Sequence, residues 1–198
     1  MKLTLIRHGL TQGNLCRLYY GATDLSLAPE GISQLQQLSH THIYPTAQHY
    51  CTSGLARTEE TLALLYGKVP HTPIPDLREV NFGDWEMKCY DDLKDDPSFQ
   101  QWCCGEVSQH ICPNGESFLQ VQQRALRAMQ PILNRDEDTV CIIHGGVISF
   151  LLQAWFPADA NISYARTPQP GFGYQIIFTS GIPETYETIP FSPQHITP

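Results

Sequence analysis

Short apolar runs alternate with longer stretches of helical spacing along most of the chain. Leu3-Thr4-Leu5-Ile6, His49-Tyr50-Cys51-Thr52 and Thr139-Val140-Cys141-Ile142-Ile143 each read as a strand. Between them lie amphipathic patterns. Pro29 opens a helix running to about Leu38, with Ile32, Leu35 and Leu38 on one face, and a second helix is expected from about Leu55 to Tyr66 with Ser53 as its cap. The longest helical pattern, from Gly115 to about Leu133, carries Phe118, Val121, Ala125, Met129 and Ile132 or Leu133, and another helix is expected from Val147 to Trp155. Gly173 to Thr179 and Thr185 to Ile189 read as two further strands, antiparallel at a sheet edge. Strand-helix alternation of this kind predicts an α/β fold, a three-layer α/β/α arrangement with a mostly parallel central sheet flanked by helices. Residues 1–198 read as one domain, with a loop and helical excursion at about 80–114 over the active site and a frayed Pro-rich C-terminal tail.

Three of the predicted strands end in residues suited to phosphate chemistry. The first delivers Arg7-His8-Gly9, with Thr11 and Asn14 just beyond; the second leads to Ser53 and Arg57; the third leads to His144-Gly145-Gly146. In open parallel sheets, ligands bind outside the carboxyl ends of the strands, so neighbouring strands would aim Arg7, His8, Arg57 and His144 at one crevice. Arg7 offers a planar, bidentate donor for phosphoryl oxygens. A neutral imidazole at His8 is a competent nucleophile near neutral pH. Gly9 removes a side chain where the backbone must turn, and Thr11 and Asn14 can orient that turn or donate to phosphate. The alternative is a buried strand ending in a salt-bridged arginine and a packed histidine.

Ordered motifs extend the pattern: R-H-G-x-T-x-x-N at Arg7 to Asn14, S-x-x-x-R-x-x-x-T at Ser53 to Thr61, L-x-E-x-x-F-G-x-W-E at Leu77 to Glu86, G-E-S at Gly115 to Ser117 and H-G-G at His144 to Gly146. This set, from Leu3 to about Leu151, resembles the histidine phosphatases of the phosphoglycerate-mutase-like branch, including α-ribazole phosphatases and broad-specificity members. One departure is Met87, which follows Glu86 where that family usually has glycine, and which bears on the loop conformation there. The resemblance implies that His8 takes up the phosphoryl group, that Arg7 and Arg57 bracket it, and that His144 donates to its oxygens. Asn14, Thr11 and the Gly145 amide are the further phosphate-binding candidates. Glu79 is the candidate general acid, expected beside Phe82 and Trp85; its alternative is a surface glutamate paired with Arg78. Asp84, Glu86, Asp91, Asp92, Asp95 and Asp96 read as solvated charges, and Glu116 as a structural cap of the long helix.

Composition narrows the function classes. At 198 residues and 41% hydrophobic content the chain can bury one sizeable core. Its 20 acidic and 12 basic side chains give a net charge of -8, which argues against nucleic acid, so attraction of an anionic ester must be local, at Arg7 and Arg57. Without a long apolar span or a signal-like start, the expected location is cytoplasmic. Seven cysteines are then expected to be reduced, with Cys51 and Cys141 in the core. Cys103, Cys104, His110 and Cys112 have zinc-ligand letters but no C-x-x-C pair, so no metal is assigned. The expected activity is a metal-independent and cofactor-independent phosphomonoesterase acting on a small phosphorylated metabolite through a phosphohistidine. A phosphoglycerate-type mutase and a catalytically silent binding protein are the alternatives. A homodimer is a further expectation; nucleic acid and membrane are not expected partners.

Overall fold

The computed structural model describes residues 1–104, 110–162 and 167–192, so the end of the Pro-rich tail and residues 105–109 of the excursion lie outside the described residues. Six strands, β1 (Lys2–Arg7), β2 (His49–Thr52), β3 (Thr72–Pro73), β4 (Thr139–Ile143), β5 (Gly173–Thr179) and β6 (Ile182–Ile189), form one sheet in the order β3-β2-β4-β1-β5-β6. The β3-β2, β2-β4 and β4-β1 pairs are parallel, and β5 and β6 add two antiparallel pairings at one side. β4 lies in the middle and is buried along its whole length, as a continuous apolar run requires when helices cover both faces.

Side-chain alternation separates the two cores. Leu3, Leu5, Cys51, Cys141 and Ile143 face α6 (Phe118–Arg135) and α7 (Gly145–Trp155), whereas Ile6, Val140 and Ile142 face Leu62 of α3 (Ala56–Tyr66). α2 (Pro29–Thr41) packs on α3 and completes the second layer. Val121, Ala125, Met129 and Ile132 are the buried stripe of α6, and its start is set by the reciprocal bonds of a Ser117–Gln120 capping box.

Several local expectations change. Ser53 does not cap α3, which begins after Leu55 with no side-chain cap. β6 starts at Ile182, earlier than the alternation implied. A short strand, β3, lies inside the Pro-rich stretch, where a two-residue edge strand tolerates Pro73. A four-residue helix, α1 (Gln12–Leu15), follows the Arg7-His8-Gly9 turn. The excursion is not one helix. It holds a 3-10 turn at Gly83–Trp85, then α4 (Tyr90–Leu93) and α5 (Pro97–Cys104), around a core of Trp85, Leu93, Phe99 and Cys112. Met87 takes the left-handed conformation, φ 62°, that glycine would adopt without strain. No helix among the described residues is long and apolar enough to cross a membrane.

Candidate active site

The strand register brings the predicted residues together. Arg7 pairs with Ile143 and Thr52 with Ile142, so the next residues, His8, Ser53 and His144, emerge side by side at the carboxyl end of the sheet. The His8 amide continues the ladder to the Ile143 carbonyl at 3.0 Å. Its imidazole is 4% exposed, with Nδ1 2.7 Å from the Gly9 carbonyl. A carbonyl only accepts, so Nδ1 carries the proton and Nε2 keeps its lone pair. Burial, reinforced by Arg57 and then Arg7, holds the His8 pKa well below the usual 6.5, against the smaller opposing effect of the Gly9 bond. The ring is therefore neutral near pH 7. A Cβ at Gly9 would lie 2.6 Å from Leu35 Cδ1, so any larger residue there would have to displace the buried Leu35 side chain.

Both arginines are tied down by carbonyls and retain free donors. Arg7 Nη1 donates to the Pro168 carbonyl at 2.8 Å and to Thr167 Oγ1 at 3.3 Å. Arg57, fully buried in the first turn of α3, donates from Nη2 to Gly21 O at 2.8 Å and from Nη1 to Thr23 O at 2.9 Å, with its guanidinium 5.1 Å from the Tyr20 ring centroid. Each Nε–H is buried without a partner. Burial lowers both arginine pKa values, and Glu79 and Tyr20 oppose it. A fully buried and a half-buried cation, each with a buried and unspent Nε–H, are matched to an oxyanion.

His144 lies edge-on to His8, with ring centroids 5.1 Å apart. Its Nε2 is 2.8 Å from Ser53 Oγ, which is 3.2 Å from Thr58 Oγ1. Thr58 spends its only proton on Leu55 O, so Ser53 donates to Thr58 and accepts from His144 Nε2–H. That chain leaves Nδ1, buried and unpartnered, as the ring's free nitrogen. Burial and then Arg57 hold the His144 pKa well below 6.5. Donation from Nδ1 to a bound oxyanion thus needs the imidazolium form, which the anion's charge favours.

Glu79 follows a 3-10 turn at Pro75–Leu77 that Leu77 anchors in the core. Its Oε2 accepts from the Gly146 amide in the first turn of α7 at 3.0 Å, and Oε1 from Val80 N at 3.1 Å. Arg78 turns away to Ser53 O. Trp85 belongs to the excursion core, so Phe82 is the aromatic that lines the cavity with Glu79. The loop is held by a residue the sequence did not flag. Arg124 of α6 donates to the carbonyls of Asp76, Arg78 and Glu79 at 2.7–3.0 Å and to both carboxylate oxygens of Glu116. Glu116 is thus a partner of Arg124 and of the Asn81 amide, and Ser117 is the helix cap.

A cavity of about 290 Å³ joins Arg7, His8, Arg57 and Glu79, while His144 lies fully buried beside His8 and is not on its lining. Arg7, His8, Asn14, Arg57, Glu79 and Gly146 line its polar end with Tyr20 under Arg57, and Tyr19, Phe82, Trp102, Phe118 and Phe150 line its apolar end. Asn14 Oδ1 accepts from Thr11 N and Thr11 Oγ1, which leaves its NH₂ as the group it can offer. Thr11 is the cap of α1, bonded to Tyr20 OH at 2.5 Å, and does not line the cavity. Nor does Gly145, the first residue of α7; the glycine amide that meets Glu79 is that of Gly146. Glu86, expected to be solvated, is half-buried and accepts five hydrogen bonds. Cys112 is in the excursion core and Cys103 and Cys104 are exposed; no group of three metal-binding side chains forms among the described residues. A larger hollow, about 710 Å³, opens between β2, β3 and α6 and contains none of the candidate residues.

A parallel-sheet crevice holding a neutral imidazole, two arginines with unspent donors and a carboxylate defines a phosphoryl-transfer enzyme of the α/β class. Residues 3–171 match the histidine phosphatase superfamily (branch 1), and the chain belongs to that family. It is 36% identical over 170 residues to the adenosylcobalamin/alpha-ribazole phosphatase of Escherichia coli strain K12, covering 81% of this chain and 82% of the relative. GpmB of Erwinia tasmaniensis, named a probable phosphoglycerate mutase, is 26% identical, with 81% and 77% covered. The crystal structure of the alpha-ribazole phosphatase from Shigella flexneri superposes with a TM-score of 0.80 at 30% identity, covering 92% of this chain and 93% of that one. The protein is an enzyme of this superfamily, a phosphatase or a mutase.

Proposed function

We propose that the protein is a phosphomonoesterase acting through a phosphohistidine on His8, with no metal or cofactor in the reaction. The observation that carries this reading is the His8 imidazole itself, neutral, with Nδ1 spent on Gly9 O and Nε2 free in the cavity that Arg7 and Arg57 also line. Nε2 attacks phosphorus, the P–O bond to the leaving group breaks, and Glu79 delivers a proton to the departing alkoxide. Water then attacks the phosphohistidine, Glu79 takes its proton, and inorganic phosphate leaves. Arg7 and Arg57 neutralise the phosphoryl oxygens, the work a metal ion does in other phosphatases, and Asn14 and His144 add donors.

The cavity favours a phosphatase over a phosphoglycerate mutase. Among the described residues its two lining cations, Arg7 and Arg57, are both committed to the phosphoryl end, and the rest offers aromatic rings to the leaving group instead of a further cation for the carboxylate of a phosphoglycerate. The substrate class is a small phosphorylated metabolite with an aromatic or extended apolar leaving group, a class to which the α-ribazole phosphate of the relatives' names belongs. The test is phosphate release from α-ribazole 5′-phosphate and from simple aryl and alkyl phosphates in excess EDTA, alongside assay of phosphoglycerate isomerisation. Release without isomerisation is expected. Strict metal dependence, or isomerisation without release, overturns the proposal.

A further inference from the structure

Glu86 stands outside the cavity, yet its carboxylate gathers donors from the loop that holds Arg57. Oε1 accepts from the amides of Gly21, Ala22 and Phe82 at 2.9–3.0 Å, and Oε2 from the amide of Thr23 at 3.0 Å and its hydroxyl at 2.5 Å. On its other side the same loop turns two carbonyls, Gly21 O and Thr23 O, toward the two Nη atoms of Arg57. One peptide unit bridges the charges directly. The bond joining Gly21 to Ala22 gives its N–H to Glu86 and its C=O to Arg57. In a trans peptide those groups point in opposite directions, so the peptide dipole lies between carboxylate and guanidinium with favourable ends toward both.

The loop has little freedom to do otherwise. A Cβ at Gly21 would sit 1.7 Å from Val80 O, so that position needs glycine for backbone to pass backbone. Tyr19 N donates to Lys88 O at 2.8 Å and Met87 N to Tyr19 O at 2.7 Å, stitching the loop to the segment that bears Glu86. Tyr20 lies under the guanidinium, and Gly13 leaves room for its ring, since a Cβ there would be 2.6 Å from Tyr20 Cε1. Arg57 has no other hydrogen-bond acceptor among the described residues, so its direction depends on where those two carbonyls point.

We infer that Glu86 is a positioning residue for phosphoryl transfer, aiming Arg57 through the Gly21–Ala22 peptide. The inference rests on Arg57 as a phosphate ligand in the proposed reaction. Glu86→Gln replaces one acceptor oxygen with an NH₂ that opposes the backbone amides, so the loop carbonyls lose their fixed direction.

Inorganic phosphate binding, measured by calorimetry on the wild type, E86Q, R57A and the double variant, separates this role from general loop support. E86Q is expected to weaken phosphate by about tenfold or more, the range of a charge-assisted contact. Adding E86Q to R57A is expected to weaken it no further, because the effect passes through Arg57. Phosphate affinity of E86Q within twofold of wild type overturns the inference. So does an undiminished E86Q effect in the R57A background, which is what a merely structural role gives. R57A that binds phosphate like the wild type overturns the Arg57 assignment in the proposed function and this inference with it. Should E86Q lack a cooperative melt, Thr23→Val removes one of the five donors and enters the same cycle, with a smaller loss that likewise disappears in R57A.

Discussion

At the phosphoryl end of the cavity, every cation and imidazole is aimed by a directional bond to a carbonyl or hydroxyl; at the leaving-group end, the rings stand on one another. Arg7 is held by Pro168 O, His8 by Gly9 O, Arg57 by Gly21 O and Thr23 O, and His144 by Ser53. Trp102 instead stacks on Phe99 with centroids 5.8 Å apart and meets Phe118 and Tyr19 edge-on. Hydrogen bonds fix position and direction, so one geometry of a tetrahedral anion is selected. Aromatic packing is less directional, so the other end tolerates different leaving groups of similar polarity. In the proposed function the first end holds the phosphoryl group, and the second, partly built by Phe82 and Trp102 of the excursion, receives the leaving group.

Glu79 stands at the seam, and its replacement should have the largest effect that distinguishes the ends. Glu79→Gln keeps the side chain's size but removes the proton the alkoxide needs, and its NH₂ cannot accept from one of the two backbone amides, Val80 N or Gly146 N, that the carboxylate holds. Turnover of an alkyl phosphate is expected to fall on the order of 10²–10⁴-fold, and of an activated aryl phosphate by much less. Equal losses would assign Glu79 to holding its loop. Trp102→Ala tests the apolar end alone: KM for an aromatic ester should rise by about tenfold, with little change for a small polar phosphate. A matching rise for both would mean that Trp102 supports the phosphoryl end through the fold.

A third effect is on stability and leaves turnover aside. His8 and His144 are held neutral in the native state, whereas in the unfolded chain they titrate near 6.5. Below that pH the unfolded chain binds protons that the native state refuses, so stability falls as pH falls from about 6.5 toward the lower native values. The slope is up to about 1.4 kcal/mol per pH unit for each histidine. Urea unfolding at pH 7 and pH 5 should show this loss in wild type and in Trp102→Ala, and a smaller loss in His144→Gln. The same slope in all three would place the linked protons elsewhere.

The sequence made the phosphoryl end easier to read than what supports it. Arg7, His8 and His144 sit at the ends of apolar runs and Arg57 soon after one, so strand ends alone aim them at one crevice. The supports were hidden because their partners are backbone groups far along the chain. Glu86 bonds to amides of residues 21–23, and Arg124 to carbonyls of residues 76–79, and neither backbone group has a letter in the sequence. Glu86 also lies among Asp84, Asp91 and Asp92, which made it look like one more solvated charge. Ser53 was misread for another reason: a serine before a helix suits a cap and a histidine partner equally well. β3 escaped because proline and a two-residue length erase the alternation that marks a strand.

The central claim is that His8 attacks through Nε2, and the position of the phosphoryl group on the imidazole tests it most directly. Native enzyme mixed with an aryl phosphate, quenched in alkali and digested, should yield a peptide phosphorylated on His8, with ³¹P–¹H correlation placing phosphorus on Nε2. Attachment at Nδ1, which the structure commits to Gly9 O, or on any other residue, would contradict it.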